Sequence, residues 1–276
     1  MSDNELQEPL LEGPISSPEP ENASSPQKKR KRDAEVEAKD KKQAKKPKTK
    51  KQKEQFEEDY LDIEVGINKR FAEMDSQLLA DYVDQRTTQF ESDLSAIELE
   101  DRHISATSIR DTTSWNKPRT LDNLPGFLES VCSNPTRLWG ASKKNGAPHT
   151  IIVAGAGQRA ADLARVVRKL QSKDAEVAKL FAKHIKLQDA VKFLKSKRTG
   201  MAVGTPKRLE DLMDDGALQI DRLERIIVDA SHIDVKKRGV LEMKETQVPL
   251  THWLNRAEFK ERYTTTGKDK IDLIFY

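Results

Sequence analysis

From His149 onward, short apolar runs alternate with amphipathic stretches. His149-Thr150-Ile151-Ile152-Val153-Ala154 is a continuous apolar run that ends in Gly155, which predicts a strand. Residues 158–171 follow with Ala161, Leu163, Ala164, Val167 and Leu170 at helical spacing. The alternation continues with a strand from Val177 to Lys183, a helix over Gln188–Lys197 and a strand at Met201–Val203. Then come a helix over Pro206–Asp214, a strand at Arg225–Asp229, a helical stretch over Val248–Tyr263 and a last strand at Ile271–Phe275. Strands separated by helices predict an α/β domain, about 117–276, with a parallel sheet covered on both faces.

Upstream the period changes. Ile63, Ile67, Phe71, Met74, Leu78, Tyr82 and Val83 recur at steps of three and four, and Leu94, Ile97 and Leu99 follow Phe90. This predicts two or more helices over most of 56–100, a helical arm spanning 54–116. Its apolar face can pack on the downstream domain or dock on another protein, and the pattern allows both. Residues 1–53 offer almost nothing apolar beyond Leu6, Leu10 and Leu11, so this tail is expected to be disordered.

Charge sharpens that division. The chain has 276 residues and a net charge of +3, yet residues 1–27 carry six acidic residues and no Lys or Arg. Residues 28–53 carry 14 Lys and Arg against four acids, so the excess positive charge sits in one segment. It is packed into two clusters, Lys28-Lys29-Arg30-Lys31-Arg32 and Lys45-Lys46-Pro47-Lys48-Thr49-Lys50-Lys51. Such runs suit the acidic groove of an import receptor or a nucleic-acid backbone, and point to nuclear or nucleolar targeting. The lone Cys132 excludes a disulfide framework and a multi-cysteine zinc site. No apolar run approaches the ~20 residues of a membrane span, and the acidic start is unlike a signal sequence, so no membrane partner is expected.

The strand-to-helix turn Val203-Gly204-Thr205-Pro206-Lys207-Arg208-Leu209 carries the first candidate chemistry. Thr205 is a helix N-cap candidate and Pro206 fits the first helical position, where its missing N–H costs nothing. The free N–H groups of such a helix start attract anions, and Arg208 adds a fixed charge. The strand Arg225–Val228 then runs into Asp229-Ala230-Ser231-His232.

Read together, V-G-T-P-K-R-L through to I-I-V-D-A-S-H resembles the first RecA-like domain of DEAD-box RNA helicases, from the T-P-G-R motif to the D-E-A-D motif. Ile151–Leu170 is similar to the strand and helix of that family's P-T-R-E-L-A region, which makes Arg159 a further candidate for RNA contact. The departures bear on activity. ATP hydrolysis by this fold needs a Gly-rich loop ending in Gly-Lys-Ser/Thr, and none occurs upstream of Ile151. The one Gly-Lys pair, Gly267-Lys268, is followed by Asp269. Asp229 stands where the family's magnesium-binding Asp would be, but Ala230 replaces the Glu that polarises water, and a methyl group cannot orient a nucleophile. The sequence carries no second RecA-like domain. The expectation is a protein that is neither ATPase nor helicase and has no cofactor.

A competing motif is Gly155-Ala156-Gly157-Gln158-Arg159-Ala160, a G-x-G-x-x-A match to the dinucleotide fingerprint, with Asp174 and Glu176 near the offset of a ribose ligand. His184, His232 and His252 have no partner at metal-ligand spacing.

The whole arrangement, with G-I-N-K-R-F-A-E-M-D-S-Q-L-L-A-D-Y-V in the arm and K-L-F-A-K-H-I-K-L-Q in the domain, resembles the CMS-type ribosomal small-subunit homologues. That family comprises nucleolar relatives of the DEAD-box helicases, associated with the 90S pre-ribosome. The resemblance implies a non-catalytic assembly factor that binds pre-rRNA or snoRNA and small-subunit processome proteins. RNA would meet Gly204, Thr205, Pro206, Lys207, Arg208 and Arg159. The alternatives are a purely protein-binding nucleolar scaffold, or a weak nucleotide- or dinucleotide-binding enzyme.

Overall fold

The computed structural model describes residues 58–276 apart from Lys183, so the two basic clusters lie outside the described residues. The described chain begins with an antiparallel hairpin, β1 (Leu61–Asp62) and β2 (Ile67–Asn68), followed by helices α1 (Arg70–Glu73), α2 (Ser76–Phe90) and α3 (Ala96–Asp101). Helix α4 (Leu124–Val131) leads into the alternating part: β3 (Thr150–Val153), α5 (Gly157–Val167), β4 (Glu176–Leu180) and α6 (Leu187–Ser196). After these come β5 (Thr199–Gly204), α7 (Pro206–Asp214), β6 (Arg225–Val228), α8 (Lys244–Leu254), α9 (Ala257–Tyr263) and β7 (Asp272–Phe275).

Five strands pair in the order β4-β5-β3-β6-β7, all parallel. A parallel sheet is buried on both faces, which is why β3, β5 and β6 are buried along their whole length. The two-residue period of a strand assigns neighbouring side chains to opposite faces. Ile151, Val153, Ile226, Val228, Leu273 and Phe275 enter one apolar cluster, under α6, α7, α8 and α9. Ile152, Ala154, Ile227 and Ile274 enter the other, under α4 and α5. The α/β class and the parallel sheet agree with the sequence pattern. The helical stretch read over Val248–Tyr263 is two helices, because Asn255 and the extended Arg256 interrupt it.

The arm departs from its periodicity in two ways. Ile63 and Ile67 do not belong to a helix face: Gly66, at φ 72°, turns the chain back and makes a hairpin instead. Leu78 is half exposed, whereas Leu79, Ala80, Tyr82 and Val83 are buried on α2. Asp75 caps that helix by accepting a hydrogen bond from the Leu78 N–H at 2.9 Å, which sets its start.

That buried face packs on the sheet. Phe71, Leu79 and Val83 share one cluster with Ile151, Val228 and Trp253, and the described residues fall within one compact unit, Phe56–Tyr276. Polar contacts fix the angle: the Tyr82 hydroxyl donates to Glu242 Oε1 at 2.5 Å, and Gln247 Nε2 donates to Thr87 Oγ1 at 2.8 Å. A boundary near residue 117 therefore does not separate two cores. Helix α3 differs. A capping box of Ser95 and Glu98 starts it, it buries no residue, and Ile97 is 78% exposed.

The outer edge of β7 is covered by irregular chain. Ile109 bridges Leu273 in parallel sense and the Arg110 N–H donates to the Leu273 carbonyl at 2.8 Å. Beyond it the buried Arg119 donates to the Phe275 carbonyl. An open edge would leave a row of unpaired backbone groups, and this segment satisfies them.

Candidate nucleic-acid interface and degenerate nucleotide motif

Gly204 ends β5 at a point where a side chain has no room. A Cβ there would lie 2.6 Å from the Leu180 carbonyl oxygen and 2.7 Å from Leu209 Cδ2. The next residue, Thr205, donates its N–H to the same Leu180 carbonyl at 3.2 Å. Pro206 then opens α7 as expected. Thr205 occupies the cap position, but its side chain makes no capping hydrogen bond, so α7 begins with its N–H groups uncapped by Thr205.

These N–H groups border a cleft of about 310 Å³ whose lining includes Gly155, Gly157, Gln158, Thr205, Pro206 and Lys207, and also the carboxylate-bearing Glu245 with Thr246 and Pro249 from α8. The first turns of α5 and α7 thus meet at one cleft, and both bring positive dipole ends to it. Lys207 is exposed and paired with Glu210 at 2.9 Å and Asp211 at 3.3 Å. These partners hold its pKa above the usual lysine value. Arg208 is half-buried and donates Nη1 to the Ile185 carbonyl at 3.0 Å, with no carboxylate partner among the described residues.

Arg159 lies elsewhere. In open parallel sheets, ligands gather at the carboxyl ends of strands where the crossovers change direction. Here β3 leads to β4 on one side and β6 leads to β7 on the other, so that point lies between β3 and β6. Arg159, in the first turns of α5, spans it. Its Nε donates to Asp229 Oδ2 at 2.7 Å and its Nη2 to Asp229 Oδ1 at 2.9 Å. The side chains are only 10% and 2% exposed. Arg159 is therefore withdrawn from the surface with Thr205 and Arg208, because a buried carboxylate after β6 binds it in a bidentate fork. The oxygens of Asp229 that the helicase resemblance assigned to magnesium both face a guanidinium.

The rest of D-A-S-H is covered by the arm. Ala230 and Ser231 are buried, and both their N–H groups donate to the Tyr276 carbonyl at 2.8 Å. Strand β2 pairs with this segment: Ile67 bridges His232 in antiparallel sense, and the Asn68 N–H donates to the Ser231 carbonyl at 2.7 Å. Burial, aided by the charge of Arg159, lowers the pKa of His232 below the usual histidine value and favours its neutral form.

The dinucleotide reading fares differently. The Gly155 turn does join β3 to α5, but Glu176 opens β4, at the opposite end of a parallel sheet, where it pairs with Lys197 at 2.9 Å. Asp174 precedes it in sequence and so also lies toward that end. The fold does not bring the glycines and these acids together. Sequence reasoning missed the Arg159–Asp229 pair, the hairpin over D-A-S-H and the buried Arg119. Only the two-residue step of Gly155 and Gly157 marked the turn that aims Arg159, and nothing marked the other two.

Fold and site together define an α/β protein with a parallel sheet, in which a buried ion pair spans the carboxyl ends of β3 and β6. Residues 24–276 match the model of a family described as "CMS1: U3-containing 90S pre-ribosomal complex subunit". The chain belongs to this CMS1 family. It is 58% identical over 216 residues to Protein CMS1 of Chaetomium thermophilum, covering 78% of this chain and 86% of that protein. It is 31% identical over 201 residues to Protein cms1 of Schizosaccharomyces pombe, covering 72% and 69%. Among solved structures, a DEAD box protein from Methanococcus jannaschii is similar at 19% identity and a TM-score of 0.32, over 48% of this chain and 32% of that one. Saccharomyces cerevisiae Dbp5, bound to RNA and ADP BeF3, is similar at 16% identity and a TM-score of 0.34, over 51% and 31%. The chain spans about a third of either of these proteins.

Proposed function

We propose that this protein is a non-catalytic subunit of the 90S pre-ribosome that acts in small-subunit assembly in the nucleolus. In this reading its RecA-like domain touches RNA backbone while its arm and tail hold neighbouring proteins and an import receptor. The family description supports the assembly role, since it names a U3-containing 90S pre-ribosomal complex subunit. The observation that carries the non-catalytic part is the Arg159–Asp229 pair: a carboxylate held by both oxygens is already neutralised and has no place for magnesium. Without the metal, the γ-phosphate of a bound nucleotide would lack the charge that phosphoryl transfer requires.

RNA contact is assigned to the cleft between α5 and α7. Two helix starts offer backbone N–H groups there, with Lys207 in the lining, and Arg208 follows in the first turn of α7. Contacts of this kind bind phosphate and carry no sequence information. Crosslinking of the protein in its native particle tests the assignment. RNA adducts are expected at residues 155–158 and 205–208, and adducts confined to the basic tail would reject this surface. Purified full-length protein is expected to show no ATP turnover above background.

One observation favours protein docking alongside RNA contact. Helix α3 presents Ile97 to solvent, about three-quarters exposed, and Ile63 and Val65 in the hairpin turn are more than half exposed. Protein crosslinks from this arm are the corresponding outcome.

A further inference from the structure

We infer that the outer edge of β4 is a docking site for an extended segment of another protein, whose side chains alternate between acidic and apolar. A groove of about 890 Å³ lies at that edge, against about 310 Å³ for the cleft at Thr205. The two share no lining residue, so occupancy of the edge is independent of RNA contact at the cleft.

The sheet ends here. β4 stands first in the order β4-β5-β3-β6-β7 and, among the described residues, pairs with β5 alone. The Glu176 N–H donates to the Arg198 carbonyl at 3.1 Å, and the Leu180 carbonyl accepts from the Thr205 N–H at 3.2 Å. Backbone groups alternate in direction along a strand, so Glu176, Ala178 and Leu180 face β5. Val177 and Lys179 turn their N–H and carbonyl groups outward, and both residues line the groove. The β7 edge is closed by the segment at Ile109 and Arg110, whereas β4 keeps a row of backbone groups that an added strand can pair with.

The walls set the chemistry of that strand. On one side stands the end of α5 with Arg168, and Lys179 points to the same layer, since it shares its side of β4 with Val177. On the other side stands α6 with the half-buried Phe193. Ile185 packs against the apolar clusters of both layers. A strand laid along β4 sends successive side chains to opposite walls. One set meets Arg168 and Lys179, and the next meets Phe193.

Charge favours an acidic occupant. Arg168, Lys173 and Lys179 are exposed and form no ion pair among the described residues. Of the lining carboxylates, Glu176 is paired with Lys197 at 2.9 Å, and Asp189 lies in the first turn of α6. A lysine on an edge strand repels a second copy of itself and admits a strand that carries carboxylates. Nucleic acid fits less well, because its backbone has no donors to pair with the outward carbonyls, and Asp189 repels phosphate.

The test titrates the full-length protein with a short synthetic peptide of alternating Glu and Val, labelled at one end. Fluorescence anisotropy and amide hydrogen exchange are followed. Saturable binding is expected, with slowed exchange of the Val177 and Lys179 amides. Methylating every backbone nitrogen of the peptide keeps its charge but removes its donors, and should abolish binding. Lys179→Glu and Arg168→Glu, both at exposed positions, should each weaken binding about tenfold, while Lys179→Arg should bind like the parent. The proposal is overturned if the peptide shows no saturable binding, or if the methylated peptide binds equally well. It is also overturned if both charge reversals leave the affinity unchanged. Displacement of the peptide by a single-stranded RNA whose own binding is lost in Lys179→Glu would assign the edge to nucleic acid instead. Self-association that the peptide disperses would assign it to a second copy, and either result overturns the proposal.

Discussion

Arg159 and Asp229 face each other across the carboxyl ends of β3 and β6, joined by two hydrogen bonds of 2.7 and 2.9 Å in a nearly dry environment. The pair ties the first turns of α5 to the segment after β6, at the point where a parallel sheet most readily admits a ligand. It neutralises a charge that would otherwise need a metal or water. It also fixes the D-A-S-H segment on which the hairpin lies.

Removing one partner leaves the other charged, buried and alone. Asp229→Ala and Arg159→Ala should each destabilise the protein by about 3–5 kcal/mol. The double variant should cost clearly less than the sum, since no orphan charge remains. Urea unfolding of the four proteins in a double-mutant cycle measures this.

Gly204→Ala should destabilise by about 1–3 kcal/mol. The obstacle is the Leu180 carbonyl at 2.6 Å, a backbone atom that cannot swing away as a side chain can. Thermal unfolding reads the loss as a fall in Tm.

Leu79→Ala and Val83→Ala on α2 test whether the arm is part of the core. Both side chains are buried in the cluster that includes Ile151 and Val228. Leu79→Ala should cost about 2–5 kcal/mol. Unfolding should remain one cooperative transition, and an early separate loss of helix would show the arm to be independent.

Stability should fall between about pH 6.5 and pH 4, with His149 as a main cause. Burial, with the nearby Arg225 charge, lowers its pKa to about 4 from 6.5. In that window the unfolded chain binds a proton that the folded protein does not, so stability rises with pH. The full contribution is present above pH 6.5, amounts to up to about 3 kcal/mol, and is gone below pH 4. His232, shifted in the same direction, adds to it. Unfolding free energies across this window should show the slope, and it should be shallower in His149→Gln.

Arg208→Ala should weaken RNA binding by a similar factor for unrelated sequences and reduce the salt slope by about one. Binding by filter retention at several salt concentrations checks this. An unchanged affinity would favour protein docking.

How much of this was legible in the chain differs by element. The five strands and the helices between them follow from local pattern, because a strand buried on both faces must be continuously apolar and its covering helices amphipathic. Even the Pro206 helix start stands at the predicted residue. The arm was legible only in part. The steps from Ile63 to Phe71 fit a helix, but Gly66 took a left-handed conformation that reverses the chain, and pairing with the segment after β6 rewards that reversal.

What the residues alone determined is the α/β sheet, the glycine-tight turn before Pro206 and the lack of Gly-Lys-Ser/Thr, since each rests on neighbours within a few positions. The partner of Asp229 lies seventy residues upstream in Arg159, and the hairpin that covers the segment after β6 brings Asn68 against Ser231 from far upstream. Such meetings depend on strand order and on which edge is covered, and no local period encodes them. Tertiary structure decided them because a buried charge or donor takes whatever partner the fold brings within about 3 Å.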